Sequence, residues 1–299
     1  MTIPQLAFGC GTIWYRHKGN EAGDMNATLV ECILNALRSG FRHFDTAELY
    51  GTEREFGRAL LLWVQESEDN KRSDVFVAAK ATYPYNLTQR FEDTMQRFGP
   101  ALAGYVDLYL LHSPLWDYSS SDSEMPMATA WKDMESLVVS GRAKAIGVSN
   151  FREIDLQALL DTKPGILPAC NQIQFHAYLQ ETELLRFCRE KLPEMSISSY
   201  GVMSPYVPLA DKGDLKTVVD KIALQKGAGV TGAQVLLAWG LSLGVAQITT
   251  TSKVERMVEA CKSQQIVLTD VERAEITEAG AGMSLHWQHG PIAHESYKQ

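Results

Sequence analysis

Eight short apolar runs, each with a polar residue in or just beyond its C-terminal end and each followed by a helical pattern, constrain this chain more than any other feature. They are Leu6–Thr12, Phe41–Thr46, Val75–Lys80, Tyr105–Leu111, Ala143–Val148, Ala169–Phe175, Met195–Ser199 and Val245–Thr250. Runs that are apolar at most positions, not at every second one, predict strands covered on both faces. Such strands form parallel sheets joined by helical crossovers. The helices follow from the 3.6-residue period. Leu29, Ile33 and Leu37 line one stripe of Ala27–Ser39, which Gly40 closes, and Phe56, Leu60 and Val64 do the same for Glu53–Gln65. Further helices are predicted over Leu87–Phe98, Met127–Val139, Ile154–Leu160, Thr182–Lys191, Asp214–Lys226, Thr231–Leu243, Lys253–Lys262 and Thr269–Ala279. The last opens with a Thr-Asp-Val-Glu capping box. Eight β/α units in 299 residues with no break in composition predict an α/β fold, a (β/α)8 TIM barrel forming one domain over residues 1–299, with a C-terminal substrate-loop tail at about 280–299. A doubly wound sheet is the alternative. It wants a GxGxxG turn after the first strand, and Gly9-Cys10-Gly11-Thr12-Ile13-Trp14 is not one.

Charge and cysteine usage narrow the function classes. The net charge is −8, which disfavours nucleic acid and anionic membrane as partners, since both want a basic surface. No run supplies the roughly 18 apolar residues of a membrane span. The five cysteines are odd in number and none forms a CxxC pair, so reduced thiols and a cytoplasmic location are expected. The chain contains no Walker A sequence, HExxH, GxSxG or clustered Cys/His spacing, so neither those hydrolase and nucleotidase chemistries nor a metal is expected.

In a barrel the C-terminal strand ends share one rim, where active sites are built. The polar residues there are Thr12, Asp45, Lys80, His112, Ser149-Asn150, Gln172, Tyr200 and Thr250-Thr251. Lys80 closes an apolar run, so its ammonium is expected to be partly desolvated and to need a carboxylate; Asp45, on the neighbouring strand end, supplies one. Tyr50 follows five residues after Asp45. A phenol titrates near 10 in water and becomes a proton donor near neutral pH only beside a cation. Asp45, Tyr50, Lys80 and His112 are therefore the candidate catalytic set.

With these residues in place the chain resembles the aldo-keto reductase superfamily, NAD(P)H-dependent carbonyl reductases on a (β/α)8 barrel. The segments that carry the resemblance are Gly9-Cys10-Gly11-Thr12, Phe44-Asp45-Thr46-Ala47-Glu48-Leu49-Tyr50-Gly51, the Lys80 strand, Leu110-Leu111-His112-Ser113-Pro114, Gly147-Val148-Ser149-Asn150-Phe151, Asn171-Gln172-Ile173-Gln174 and Ser199-Tyr200-Gly201. The resemblance implies Tyr50 as general acid, tuned by Lys80 and Asp45, with His112 orienting the carbonyl. It implies that Ser149, Asn150 and Gln172 hold the nicotinamide carboxamide, that Tyr200 stacks on the ring, and that Gly11, Thr12 and Asp45 also line the cofactor. Reversed, the same set oxidises an alcohol.

The sequence departs from the family at the far end of the cofactor. Many members carry Ile-Pro-Lys-Ser there; this chain has Ile248-Thr249-Thr250-Thr251, followed by Ser252, Lys253 and Arg256. Arg256 keeps the family position and can fork onto a phosphate, Thr250, Thr251 and Ser252 can assist, and Lys253 is the candidate replacement cation. NADPH is expected, with NADH possible. Trp14, Trp116 and Trp287 are candidate walls of the substrate pocket, alongside Tyr50 and His112. A small-molecule carbonyl compound and a monomer or weak oligomer are expected. Two alternatives stay open: an NAD-dependent sugar or polyol dehydrogenase working oxidatively, and a non-catalytic NADPH-binding regulatory barrel.

Overall fold

The computed structural model describes residues 2–12, 14, 24–114, 127–206 and 214–281. Eight strands, β1 (Leu6–Gly9), β2 (His43–Asp45), β3 (Phe76–Ala81), β4 (Val106–Leu111), β5 (Ala143–Ser149), β6 (Cys170–Gln174), β7 (Ser196–Tyr200) and β8 (Val245–Thr249), pair in sequence order and close through β8–β1 into a parallel barrel. Around it run α1 (Ala27–Arg38), α2 (Glu53–Glu66), α3 (Leu87–Phe98), α4 (Met127–Val139), α5 (Glu153–Asp161), α6 (Thr182–Lys191), α7 (Leu215–Lys226), α8 (Gly232–Ser242), α9 (Val254–Lys262) and α10 (Asp270–Gly280). The first two strands are shorter than expected. Phe41 does not join β2, because its N–H closes the end of α1 on the Ala36 carbonyl at 3.1 Å, after Gly40 at φ +105°. Beyond Gly9 only the Cys10 N–H still pairs with β2, on the Asp45 carbonyl at 2.9 Å, before the chain turns at Thr12, φ +60°.

Two separate apolar clusters explain why nearly every strand position is apolar. Val77, Ala79, Tyr109, Leu111, Ile146 and Val148 belong to the large cluster shared with the helices, while Phe76, Ala78, Leu108, Leu110, Ala145 and Cys170 form a small one inside the barrel. Successive residues of a strand alternate between the two. Continuing the inner alternation upward gives Lys80 after Ala78, His112 after Leu110, Ser149 after Gly147 and Gln172 after Cys170. In these four strands the inner file thus changes from apolar to polar one step below the rim. Gly147 permits the close approach of β5 and β6: a Cβ there would lie 2.5 Å from the Cys170 carbonyl oxygen.

The opposite, N-terminal end of the barrel is held by charge. Asp107 is buried and accepts from Arg72 Nη2 at 2.9 Å, Lys144 Nζ at 2.8 Å and the Val77 N–H at 2.9 Å. Both cations lie 4.4 Å from the Tyr105 ring centroid. One carboxylate thereby links the starts of three successive strands.

Candidate active site

At the C-terminal rim, β2 and β3 bring Asp45 and Lys80 together. Lys80 Nζ donates to both Asp45 carboxylate oxygens at 2.7 Å and to the Thr46 carbonyl at 3.1 Å, and neither side chain has appreciable exposure (Lys80 0%, Asp45 3%). Burial pushes the Lys80 ammonium below its ordinary pKa, and the Asp45 carboxylate opposes that shift. Tyr50 ends the 3-10 turn Glu48–Tyr50, which Gly51 closes at φ +66°. Its phenol oxygen sits 3.1 Å from Lys80 Nζ, and its ring edge-packs on His112 at a centroid distance of 5.7 Å and 80°. Gly11 covers the ring from the other side; a Cβ on it would stand 3.0 Å from the Tyr50 ring. His112 is buried, and its pKa is driven well below the usual histidine range, first by burial and then by the Lys80 charge. The imidazole is therefore neutral, and its Nδ1 is a buried atom with no hydrogen-bond partner among the described residues.

Across the rim, β5, β6 and β7 supply a hydrogen-bonded shelf. Ser149 Oγ donates to the Gln172 carbonyl at 2.8 Å. Asn150, at φ +62°, donates through Nδ2 to the His112 carbonyl at 2.9 Å and to Ser149 Oγ at 3.1 Å, while its Oδ1 accepts from the Tyr200 hydroxyl at 2.7 Å. A non-glycine residue in the left-handed region costs about 1–3 kcal/mol and persists where neighbours over-determine it, as these contacts do. Gln172 Nε2 reaches across the barrel to Asp45 Oδ1 at 2.7 Å. Sequence reasoning assigned Gln172 to the cofactor and missed this bond to the Asp45 carboxylate. No spacing rule links positions 45 and 172, although the closed barrel itself brings any two inner files face to face.

The third part is the loop from β8 into α9. Thr250 Oγ1 is buried with no partner among the described residues. The Thr251 hydroxyl accepts from the Lys253 N–H at 3.2 Å, which shapes the entry to α9, and Ser252, Lys253 and Arg256 are exposed. Neither Lys253 nor Arg256 has an ion-pair partner among the described residues, so two cations stand open at a helix N-terminus, where backbone N–H groups favour an anion. The residues present thus fit a phosphorylated nicotinamide nucleotide: an orphaned hydroxyl, bare glycines beside the phenol and free cations at the far end. Trp14 packs against the outer apolar cluster, with Nε1 buried and without a partner among the described residues. Trp116, Trp287 and the tail from residue 282 lie outside the described residues.

Comparison with known proteins bears on the same segments. The family model described as "Aldo/keto reductase family" matches residues 6–281. The NAD/NADP-dependent indole-3-acetaldehyde reductase of Schizosaccharomyces pombe is 37% identical, the match covering 93% of this chain and 91% of that protein. The NADPH-dependent alpha-keto amide reductase of Saccharomyces cerevisiae is 34% identical over 95% of this chain and 91% of its own. Among solved structures, the aldose reductase from Schistosoma japonicum superposes with a TM-score of 0.79 at 25% identity, covering 99% of this chain and 95% of that one.

Proposed function

The chain belongs to the aldo/keto reductase family, and on that premise we propose that it reduces an aldehyde or ketone to an alcohol, with NADPH as reductant, NADH also accepted, and Tyr50 as general acid. What carries the assignment of Tyr50 is the triangle at the rim: one buried ammonium within 2.7 Å of a carboxylate and 3.1 Å of a phenol. A bound nicotinamide nucleotide supplies the hydride. The proton is the protein's part. Lys80 stabilises negative charge on the phenol oxygen as its proton leaves for the carbonyl oxygen, and Asp45 keeps the ammonium charged in a site that would otherwise favour its neutral form. Neutral His112 offers the carbonyl oxygen an N–H without placing a second cation beside Lys80.

Ser149, Asn150, Gln172 and Tyr200 would hold the nicotinamide end, and Gly11, Thr12, Thr250, Thr251 and Ser252 the middle. Lys253 and Arg256 would take the extra phosphate of NADPH. Trp14, Trp116 and Trp287 would border the substrate, a small-molecule carbonyl compound. The chain works as a single (β/α)8 domain, as a monomer or weak oligomer. The five unpaired thiols support a cytoplasmic setting. No helix among the described residues is long and apolar enough to cross a membrane.

The test is Tyr50→Phe. Loss of a positioned acid removes about 100-fold or more of the turnover of a nitrobenzaldehyde, followed by nicotinamide absorbance, while cofactor binding followed by fluorescence holds. Turnover near that of the parent would sink the assignment. A parent chain that binds NADPH but reduces nothing would favour the regulatory barrel. For the cofactor end, Arg256→Ala should weaken NADPH by about tenfold or more, since one charge-assisted contact is worth roughly 1.5–3 kcal/mol, and leave NADH unchanged. Equal loss with both cofactors would place Arg256 elsewhere than on the phosphate.

A further inference from the structure

We propose that Glu48, clamped by Arg90, is a positioning residue that fixes the Tyr50 phenol against the Lys80 ammonium. The catalytic consequence rests on the function proposed above; the geometry does not. Glu48 opens the 3-10 turn whose third residue is Tyr50. Its Oε2 accepts from the Thr82 N–H at 3.0 Å, and Thr82 lies two residues beyond Lys80 on the way out of β3. Its Oε1 accepts from Arg90 Nη1 at 2.6 Å. Arg90, on α3, is itself held: Nε donates to the Tyr85 carbonyl at 3.0 Å, and the guanidinium lies 4.9 Å from the centroids of Tyr83 and Tyr85, whose rings stack at 5.3 Å and 18°. One carboxylate therefore ties the turn that carries the proton donor to the strand end that carries its cation, and both to a helix.

Other hydrogen bonds hold the turn through its backbone and its root. Thr46 donates from its N–H and its Oγ1 to the Ala78 carbonyl at 2.8 and 2.9 Å, and the Tyr50 N–H closes on Ala47 at 3.0 Å. These bonds fix where the turn starts. The Glu48 contacts with Thr82 and Arg90 fix how it leans across β3. The leaning sets the distance from phenol to ammonium, which controls how easily the phenol gives up its proton.

A carboxylate two residues from a phenol also acts through its charge, with the opposite sign: negative charge nearby holds the proton on. Among the described residues Lys80 from β3 and neutral His112 from β4 touch Tyr50; Asp45 from β2 stands behind the Lys80 ammonium, Glu48 lies on the Tyr50 turn, and Arg90 from α3 offsets Glu48. Tether and charge can therefore be separated. Glu48→Gln keeps one acceptor for Thr82, turns an amide N–H toward Arg90 in place of the second, and removes the charge, so Tyr50 should ionise at the same pH or lower. Glu48→Ala removes the tether, so Tyr50 should ionise at higher pH, nearer the free phenol.

The experiment uses the full chain without cofactor. Tyrosinate absorbance is titrated for each protein against the same protein carrying Tyr50→Phe, which isolates the one phenol. The expected result is a rise of about one pH unit or more in Glu48→Ala and none in Glu48→Gln. Glu48→Met, which removes the tether and keeps the bulk, should move Tyr50 the same way as Glu48→Ala and stands in if that variant does not fold; Arg90→Met, which leaves Glu48 unclamped and its charge uncompensated, should raise it for both reasons. With NADPH present, kcat should drop about tenfold in Glu48→Ala with KM for cofactor unchanged, and Glu48→Gln should restore it. Titration of Tyr50 at the parent pH in both Glu48→Ala and Glu48→Met, or an equal rise in Glu48→Gln and Glu48→Ala, would overturn the proposal. The titration needs no turnover. A chain that reduces no carbonyl yet shows the shift keeps Glu48 as the positioning residue and loses the reductase assignment.

Discussion

His112 shows what a single buried residue contributes to both chemistry and stability. Its imidazole is held neutral, first by burial and then by the charge of Lys80. Neutrality suits a hydrogen-bond donor to a carbonyl, and it also makes the fold sensitive to acid. The native pKa lies below that of the unfolded chain, about 6.5, so between the two values the unfolded state binds more protons. Stability is complete above the unfolded value and is lost as pH falls toward the native one, by up to about 1.4 kcal/mol per pH unit. His43, also buried and shifted downward chiefly by burial, acts with the same sign. His112→Gln removes one of these contributions. In urea titrations between pH 5 and 6.5 its stability should fall less steeply with acid than that of the parent. Parallel curves would mean that His112 carries its charge in the folded state.

Among the elements, α2 and α3 show how backbone approach and helix propensity compete. Gly57 lies in the interior of α2, where Ala would favour the helix by roughly 0.8–1 kcal/mol. A Cβ there would stand 1.9 Å from the Phe98 carbonyl oxygen at the end of α3, and Phe98 is backbone that cannot swing away. Overpacking of this kind costs typically about 1–3 kcal/mol, so the steric term wins, and Gly57→Ala should lower the urea midpoint. A midpoint equal to or above the parent's would show that α3 yields. This contact is also where the sequence fell silent. The stripe Phe56, Leu60 and Val64 announces α2, but nothing in it says that Gly57 meets another backbone. The same limit recurs at the site. Asp45, Lys80 and Tyr50 were legible because an apolar run ending in lysine demands a counter-charge and the next strand offers one. The bonds from Gln172 to Asp45 and from Glu48 to Thr82 and Arg90 join chain segments whose residues are ordinary polar ones, so only the closed register revealed them. Helix and strand periods fixed the elements to within a few residues. The early end of β1 and the late start of β2 were missed because they depend on turn geometry at Thr12 and Gly40, not on apolar pattern.

Over the whole molecule, the barrel puts chemistry and stability at opposite ends. The rim holds Asp45, Tyr50, Lys80 and His112; the far end holds the Asp107 cluster, which touches none of them. Breaking a buried ion pair by removing one partner costs about 3–5 kcal/mol, because the other charge is left unpaired. In Asp107→Asn the half-exposed Lys144 can turn to water, whereas Arg72, 10% exposed, cannot, so a loss near the low end, about 3 kcal/mol, is expected. Tyr50→Phe removes one hydrogen bond from an ammonium that keeps its bonds to Asp45 and Thr46, a loss of about 1 kcal/mol at most. The two variants should therefore separate cleanly. Asp107→Asn should unfold at much lower urea and, at a temperature where it is folded, turn over carbonyl substrate at the parent rate. Tyr50→Phe should unfold almost with the parent and turn over almost nothing. A kcat in folded Asp107→Asn that falls as far as its stability would mean that the two ends of the barrel are coupled through β3 and β4, the strands that carry Lys80 and His112 upward from the Asp107 cluster.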